Sequence, residues 1–222
     1  MLTIHAAELL LTSTGEEPVP HGAVAVDGGT VVALGPYEQV TAGHPLARVR
    51  RWPGLLAPGL RQWHGAQLLE RAYHPDPREY EELGDRPLTG DRLAALRTDL
   101  TETRWAGSAR RGLQLLLRHG TTALAGPFHD PVVGRAVARS GLRVVPAGEG
   151  LGFPGAEAGF DAGFDALRGA YRVAEAVAYP LAVGARADFA AFDAPDEAAL
   201  LERGAGACVM TVLAGRLVYR AR

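Results

Sequence analysis

Leu55–Leu68, LLAPGLRQWHGAQL, is the stretch whose reading decides the fold. It closes the run ARVRRWPGLLAPGL, which alternates, turns apolar and is punctuated at Pro58-Gly59. Past that point stands His64, with Ala66 two places on. On an extended strand residues i and i+2, and so positions 64 and 66, share a face. Only His64 has a donor to offer.

Working outward toward the N-terminus, GAVAVDGGTVVALGP holds two β-rich runs joined at Asp27-Gly28-Gly29. Residues of that type accept positive φ, so the segment predicts a hairpin. The other end of the chain has the same texture. LAVGARADFAAFD and CVMTVLAGRLVYRAR are strand-like, with Ala214-Gly215 placed for a tight turn.

Between the two β-rich ends the pattern changes. DRLAALRTDLTETRWAGSARRGLQLLLRHG carries apolar residues at helical spacing and stops at Gly120. TTALAG reads as a short buried strand. DPVVGRAVARSG reads as a helix with Asp130 as N-cap, Pro131 at its first position and Gly141 beyond its end. LRVVPAG is a further strand, GEGLGFPGAEAG a glycine-rich loop, and GFDALRGAYRVAEAVAYP a last helix closed by Pro180. A β-α-β order with short loops implies parallel strands and a right-handed crossover. For the ends to share one sheet structure they must meet in space, with the middle inserted between them.

The bulk properties narrow the function classes. A chain of 222 residues with 47% hydrophobic and 22% charged residues fits a globular protein of one large or two small domains. A net charge of -2 and a pI near 6.4 give no electrostatic footprint for nucleic acid. No apolar run approaches the roughly 20 residues of a membrane helix. The N-terminal MLTIHAAELLLTSTGEE lacks the pattern of a secretion signal, and one cysteine forms no intrachain disulfide framework, so the expected location is the cytoplasm. Cys208, inside ACVMTVLAG, reads as a buried, inert thiol. All 23 basic residues are arginine, so no Schiff base or lysine-derived metal bridge is available.

This arrangement resembles the amidohydrolase superfamily. GAVAVDGGTVVALGP is similar to its N-terminal hairpin, LLAPGL to the segment leading into the first barrel strand, VGARADFAAFD and VMTVLAGRLVYR to its closing strands. EYEELGDRPLTG, followed by TETRWAGSARRGLQLLLRHGTTALAG, resembles the imidazolonepropionase-like branch. The resemblance implies a small β-sandwich built from both chain ends around a metal-dependent barrel. The expected class is therefore α/β plus β. Residues 1–57 and 180–222 would form the composite sandwich, and residues 58–179 an inserted, partial (β/α) barrel remnant. A complete eight-stranded barrel takes about 250 residues. The roughly 120 between the sandwich segments suffice for two to four βα units of about 30 residues each.

The resemblance also sets the candidate site. Such proteins carry His-x-His at the end of the first barrel strand; His64 matches the first histidine and Ala66 replaces the second. A site rebuilt from what remains would use His64, His129 and Glu149, each just past the C-terminal end of a strand. Two histidines and a glutamate form a known zinc set that leaves one position for water. Residue by residue the plainer readings are a packed His64, a loop His129 before an Asp130 cap, and a solvated Glu149. His119 reads as a helix-terminal residue, and His5, His21, His44 and His74 match no site position. DPREYEELGDR reads as a solvated helix face, and Trp63, Tyr73 and Phe128 as core by default. The glycine runs lack the strand-turn-helix context of a dinucleotide site, and no serine sits in a nucleophile elbow.

Two readings follow. In the first, the chain has lost metal-dependent hydrolase activity, holds no cofactor, and serves as a binding, regulatory or assembly partner. Uncovered strand edges then imply a homodimer or a heteromeric protein partner. In the alternative, it is a small enzyme, with a small-molecule ligand, acting on a non-peptide C–N bond of a cyclic amide, imidazolone or nucleobase-like substrate. Glu149 would be catalytic, and His64 and His129 would hold one divalent metal, zinc or iron. A stand-alone β-sandwich module would leave the βα middle without purpose.

Overall fold

The computed structural model describes residues 2–13, 17–147 and 163–221. It divides into two compact units: Met1–Arg61 with Leu117–Ala123 and Asp165–Arg222, and Gln62–Leu116 with Leu124–Phe164.

In the first unit Thr3–Ala6 (β1), Leu9–Leu10 (β2), Val19–Pro20 (β3), Gly22–Asp27 (β4) and Thr30–Pro36 (β5) precede a short helix, Tyr37–Gly43 (α1). Arg48–Arg51 (β6) and Leu55–Pro58 (β7) follow, and Leu60–Gln62 (β8) leads out of the unit. The expected hairpin is present: β4 and β5 pair antiparallel with Asp27 opposite Thr30, leaving Gly28 and Gly29 as a two-residue turn with Gly28 at φ +58°.

The later elements are Gly65–Glu70 (α2), Tyr80–Leu83 (α3), Gly90–Arg97 (α4), Glu102–Arg118 (α5), Thr121–Gly126 (β9), Pro131–Ser140 (α6) and Arg143–Pro146 (β10). Phe189–Phe192 (β11), Glu197–Arg203 (α7), Cys208–Leu213 (β12) and Arg216–Arg220 (β13) complete the chain. The second C-terminal turn is also as expected, with Leu213 opposite Arg216 and both Ala214 and Gly215 at positive φ.

Four strands form one sheet in the order β5-β4-β1-β6, and six form another in the order β13-β12-β11-β7-β2-β3. The six-stranded sheet joins the two ends of the chain: β7 from the N-terminal part pairs antiparallel with β11, Leu55 opposite Phe192. A third, three-stranded sheet has the order β10-β9-β8.

Period-two alternation builds the layers. Val24 and Val26 of β4 face Leu56, Phe189, Ala191, Met210 and Val212 in a core between the two large sheets. The intervening Ala23 and Ala25 turn the other way, onto Ile4, Ala6 and Val40 of α1. On the far side of the six-stranded sheet Leu55, Ala57, Ala190 and Phe192 meet Leu167, Val173, Ala176, Val177 and Leu200 of α7. Phe189 and Phe192 are completely buried on opposite faces of one strand, each contributing about 1.5–3 kcal/mol from area alone. Cys208 is buried in the same core, and burial pushes its thiol up to about 11, as an inert thiol requires.

Two helix assignments differ from expectation. The long helical pattern is broken into α4 and α5 at Thr98–Thr101. There the Thr98 hydroxyl donates to Ala95 O and the Thr101 hydroxyl accepts from Arg104 N, a competing set of local bonds that ends one helix and caps the next. The described residues of GFDALRGAYRVAEAVAYP form no α-helix: Gly163 and Phe164 take 3-10 backbone, and Val173–Ala176 is a 3-10 turn. Its buried apolar residues come as two single-turn groups, Phe164 with Leu167 and Val173 with Ala176 and Val177. A continuous helix would turn Tyr171 inward beneath Phe164 and Leu167, but Tyr171 is 88% exposed and Gly169 takes φ +77° between the groups.

Candidate functional site

The site inferred from sequence lies in the second unit, around the exits of β8 and β9. β8 stops at Gln62, a fully buried residue whose Nε2 donates to Gly163 O at 2.8 Å. Its Oε1 accepts from the backbone N–H of His64 at 2.9 Å, which bends the chain away from extended geometry. His64 then precedes α2, at φ −103° and ψ 28°.

Gly65 opens α2 against the next loop: a side chain there would come within 3.1 Å of Phe128 Cζ and 3.3 Å of Ala125 O. Residues adjoining both candidate histidines are thus in contact. His64 is half-buried, and burial depresses its pKa, so its imidazole is held neutral at pH 7. Neutral imidazole is the form that ligates a metal or accepts a proton.

Position 66 is where the sequence expectation fails in detail. The shared-face inference assumed a strand running through it, but Ala66 lies inside α2. On a helix each residue turns about 100°, so positions 64 and 66 diverge by about 200°. Ala66 therefore lacks both a ligating atom and the backbone geometry that would aim one beside His64. The donors present do not fit the two-histidine grip of a metal hydrolase at this strand end. Among the described residues, no group of three or more His, Cys, Asp or Glu is arranged to hold a metal ion. His129 is exposed in the loop after β9. Glu149 lies outside the described residues.

Asp130 is occupied by structural work. Its Oδ1 accepts from Val132 N and Val133 N, capping α6 as expected; its Oδ2 accepts from Trp105 Nε1 at 2.9 Å. Its own N–H donates to Glu70 Oε1 at 2.7 Å. Gly141 closes the helix in the left-handed conformation.

A second polar cluster in this unit was not legible in the sequence. Glu79, in the stretch read as a solvated face, is 17% exposed and accepts from the Tyr73 hydroxyl, Asp76 N and both Nε and an Nη of Arg104, at 2.7–2.9 Å. Burial alone would raise its pKa, but the bond from Asp76 N, with those from Tyr73 and Arg104, holds it below the usual carboxylate range. Burial, then Glu79, pushes the Tyr73 phenol up. Tyr73 stacks on Trp105 at 6.5 Å, and Arg97 lies over the Trp105 ring. His74 is packed beside them, its N–H donating to Ser108 Oγ and its Nε2 bonded to Leu68 O. The signal was obscure because Tyr73, Glu79 and Arg104 stand on three elements and share no sequence period. The cluster ties the segment at 76–83 to α5.

Residues 22–47, which are β4, β5, α1 and the turn beyond, match the family model for the bacterial imidazolonepropionase-like composite domain. The resemblance is thus shown over that stretch. Comparison with curated proteins gives no match. Among solved structures, the chain is similar to ochratoxinase from A. niger at 20% identity and a TM-score of 0.43, covering 66% of this chain and 31% of that one. It is similar to aminofutalosine deaminase from Helicobacter pylori at 15% identity and 0.43, covering 66% and 33%. Molinate hydrolase gives 22% identity and 0.44, covering 66% and 30%. The chain spans about a third of the length of the solved structures it matches.

Proposed function

We propose that this chain is an amidohydrolase-like protein, of imidazolonepropionase-like lineage, that has given up metal-dependent hydrolysis and works as a binding, regulatory or assembly partner. One observation carries the reading: β8 ends at Gln62 and the position of the second histidine is an alanine turned away within α2. A hydrolase zinc needs three protein ligands around one open position, and position 66 supplies none. Strand edges support the assembly role. β13 ends the six-stranded sheet with Leu217 and Val218 exposed, and β10 ends the three-stranded sheet with Val144 exposed. We expect a homodimer or a heteromeric complex in the cytoplasm; no helix among the described residues is long and apolar enough to cross a membrane.

The test is metal analysis of protein purified without a histidine tag, with His64→Ala alongside. Substoichiometric zinc and iron, with an unchanged urea midpoint for the variant, is the expected result. Stoichiometric metal lost on His64→Ala, together with turnover of a cyclic amide or nucleobase-like substrate, would establish the enzyme instead. Light scattering that gives a monomer at micromolar concentration removes the homodimer.

A further inference from the structure

The first unit contains a cleft of about 670 Å³ that plays no part in the candidate site. Its apolar lining includes Pro20, Pro36, Tyr37 and Trp52, and its charged lining is Glu8, Glu38 and Arg51. That volume lies within the roughly 300–1,000 Å³ of small-molecule sites.

Three features mark it as built. His21, also on the lining, holds φ +46°, a conformation that costs a residue other than glycine about 1–3 kcal/mol. Its N–H donates to Glu8 O at 2.6 Å and its C=O accepts from Tyr37 N at 2.8 Å, so the strained residue ties the two walls together. Trp52 is fixed as well, its Nε1 donating to the buried His5 Nδ1 at 3.1 Å. The Arg51 guanidinium lies 4.3 Å over the Tyr37 ring, which restrains its plane and leaves its edge donors for a planar anion. Among the described residues the side chains of Arg51, Glu8 and Glu38 have no ion-pair partner.

We infer that this cleft binds a free aromatic amino acid: Arg51 takes the carboxylate, Glu8 and Glu38 take the ammonium, and the ring packs on Trp52, Pro20 and Pro36. A lining that combines one cation, two carboxylates and aromatic rings matches a zwitterion better than a simple acid or amine. The inference holds whichever way the metal question falls.

Isothermal titration of the full chain with L-tryptophan, tryptamine and indole-3-propionate tests it. Tryptophan is expected to bind saturably at one site per chain. Losing a charge-assisted bond costs about tenfold or more in affinity. Arg51→Met should therefore weaken tryptophan and indole-3-propionate by at least about tenfold and spare tryptamine. Glu8→Gln combined with Glu38→Gln should weaken tryptophan and tryptamine and spare indole-3-propionate. No saturable heat at millimolar probe, or equal losses for all three probes in both variants, overturns the inference. A readout on the unaltered chain runs beside these: tryptophan should shift the amide resonances of Glu8, His21, Tyr37 and Trp52, and shifts confined to other residues overturn it too.

Discussion

His5 gives the sharpest test of the sandwich core. It is 3% exposed, stacks edge-on against Phe189 at 5.1 Å, and accepts from Trp52 Nε1. Burial, with the nearby Arg50 charge, lowers its pKa from 6.5 to about 4. Arg220 lies over the far partner, Trp52, and adds no negative charge to offset this. The folded state thus holds His5 neutral while the unfolded chain takes up a proton below pH 6.5. The stability this group protects is intact above pH 6.5, drains as pH falls toward 4, and changes no further below that. A gap of about 2.5 pKa units is worth about 3 kcal/mol. Urea unfolding from pH 7.5 to pH 4, on the parent and on His5→Asn, is the assay. Asparagine keeps an acceptor for Trp52 and cannot titrate. The parent should lose about 3 kcal/mol more than the variant across that window. Parallel pH profiles for the two proteins would refute the reasoning, because carboxylates such as Glu79 titrate in both and cancel in the difference.

Three further outcomes follow from the geometry. Ala66→His should not create a two-histidine metal grip, since the new imidazole leaves α2 about 200° away from His64; competition against a zinc chelator should give the parent's affinity. Asp130→Ala removes a helix cap and the acceptor of Trp105 Nε1 together, and should cost about 2–4 kcal/mol by urea denaturation. Phe192→Ala, at a completely buried site, should cost about 3–5 kcal/mol, whereas Leu217→Ala on the exposed edge strand should stay within about 0.5 kcal/mol by the same assay.

What the sequence disclosed and what it withheld divide along physical lines. Turns and caps were legible because their signals are local. Gly28-Gly29 and Ala214-Gly215 make their turns, and Asp130, Pro131 and Gly141 bound α6, wherever the surrounding elements lie. The pairing of chain ends was legible through resemblance, and it stands in the antiparallel ladder of β7 with β11. Periodicity failed where one helical turn of apolar spacing was too short to decide, at Phe164–Leu167 and Val173–Val177. The shared face of positions 64 and 66 failed in a subtler way. A motif borrowed from an intact strand carried its geometry along, and a single bond from His64 N to Gln62 Oε1 ends that strand early. The Tyr73–Glu79–Arg104 cluster was illegible because burial, and not residue type, turns a surface-looking glutamate into a hub.

The order of strands in the six-stranded sheet has a consequence for synthesis. β7 receives its antiparallel neighbour only once Phe189–Phe192 has been made, roughly 130 residues later, and the sheet is completed only by Arg216–Arg220. Until then the nascent chain presents Leu55, Leu56 and Ala57 on an open ladder, at the usual translation rate of about 5–20 residues per second. Pairing across so long a loop is entropically slow, so a ribosome stalled before residue 189 should display a species that binds a chaperone, while one released after Arg220 should not.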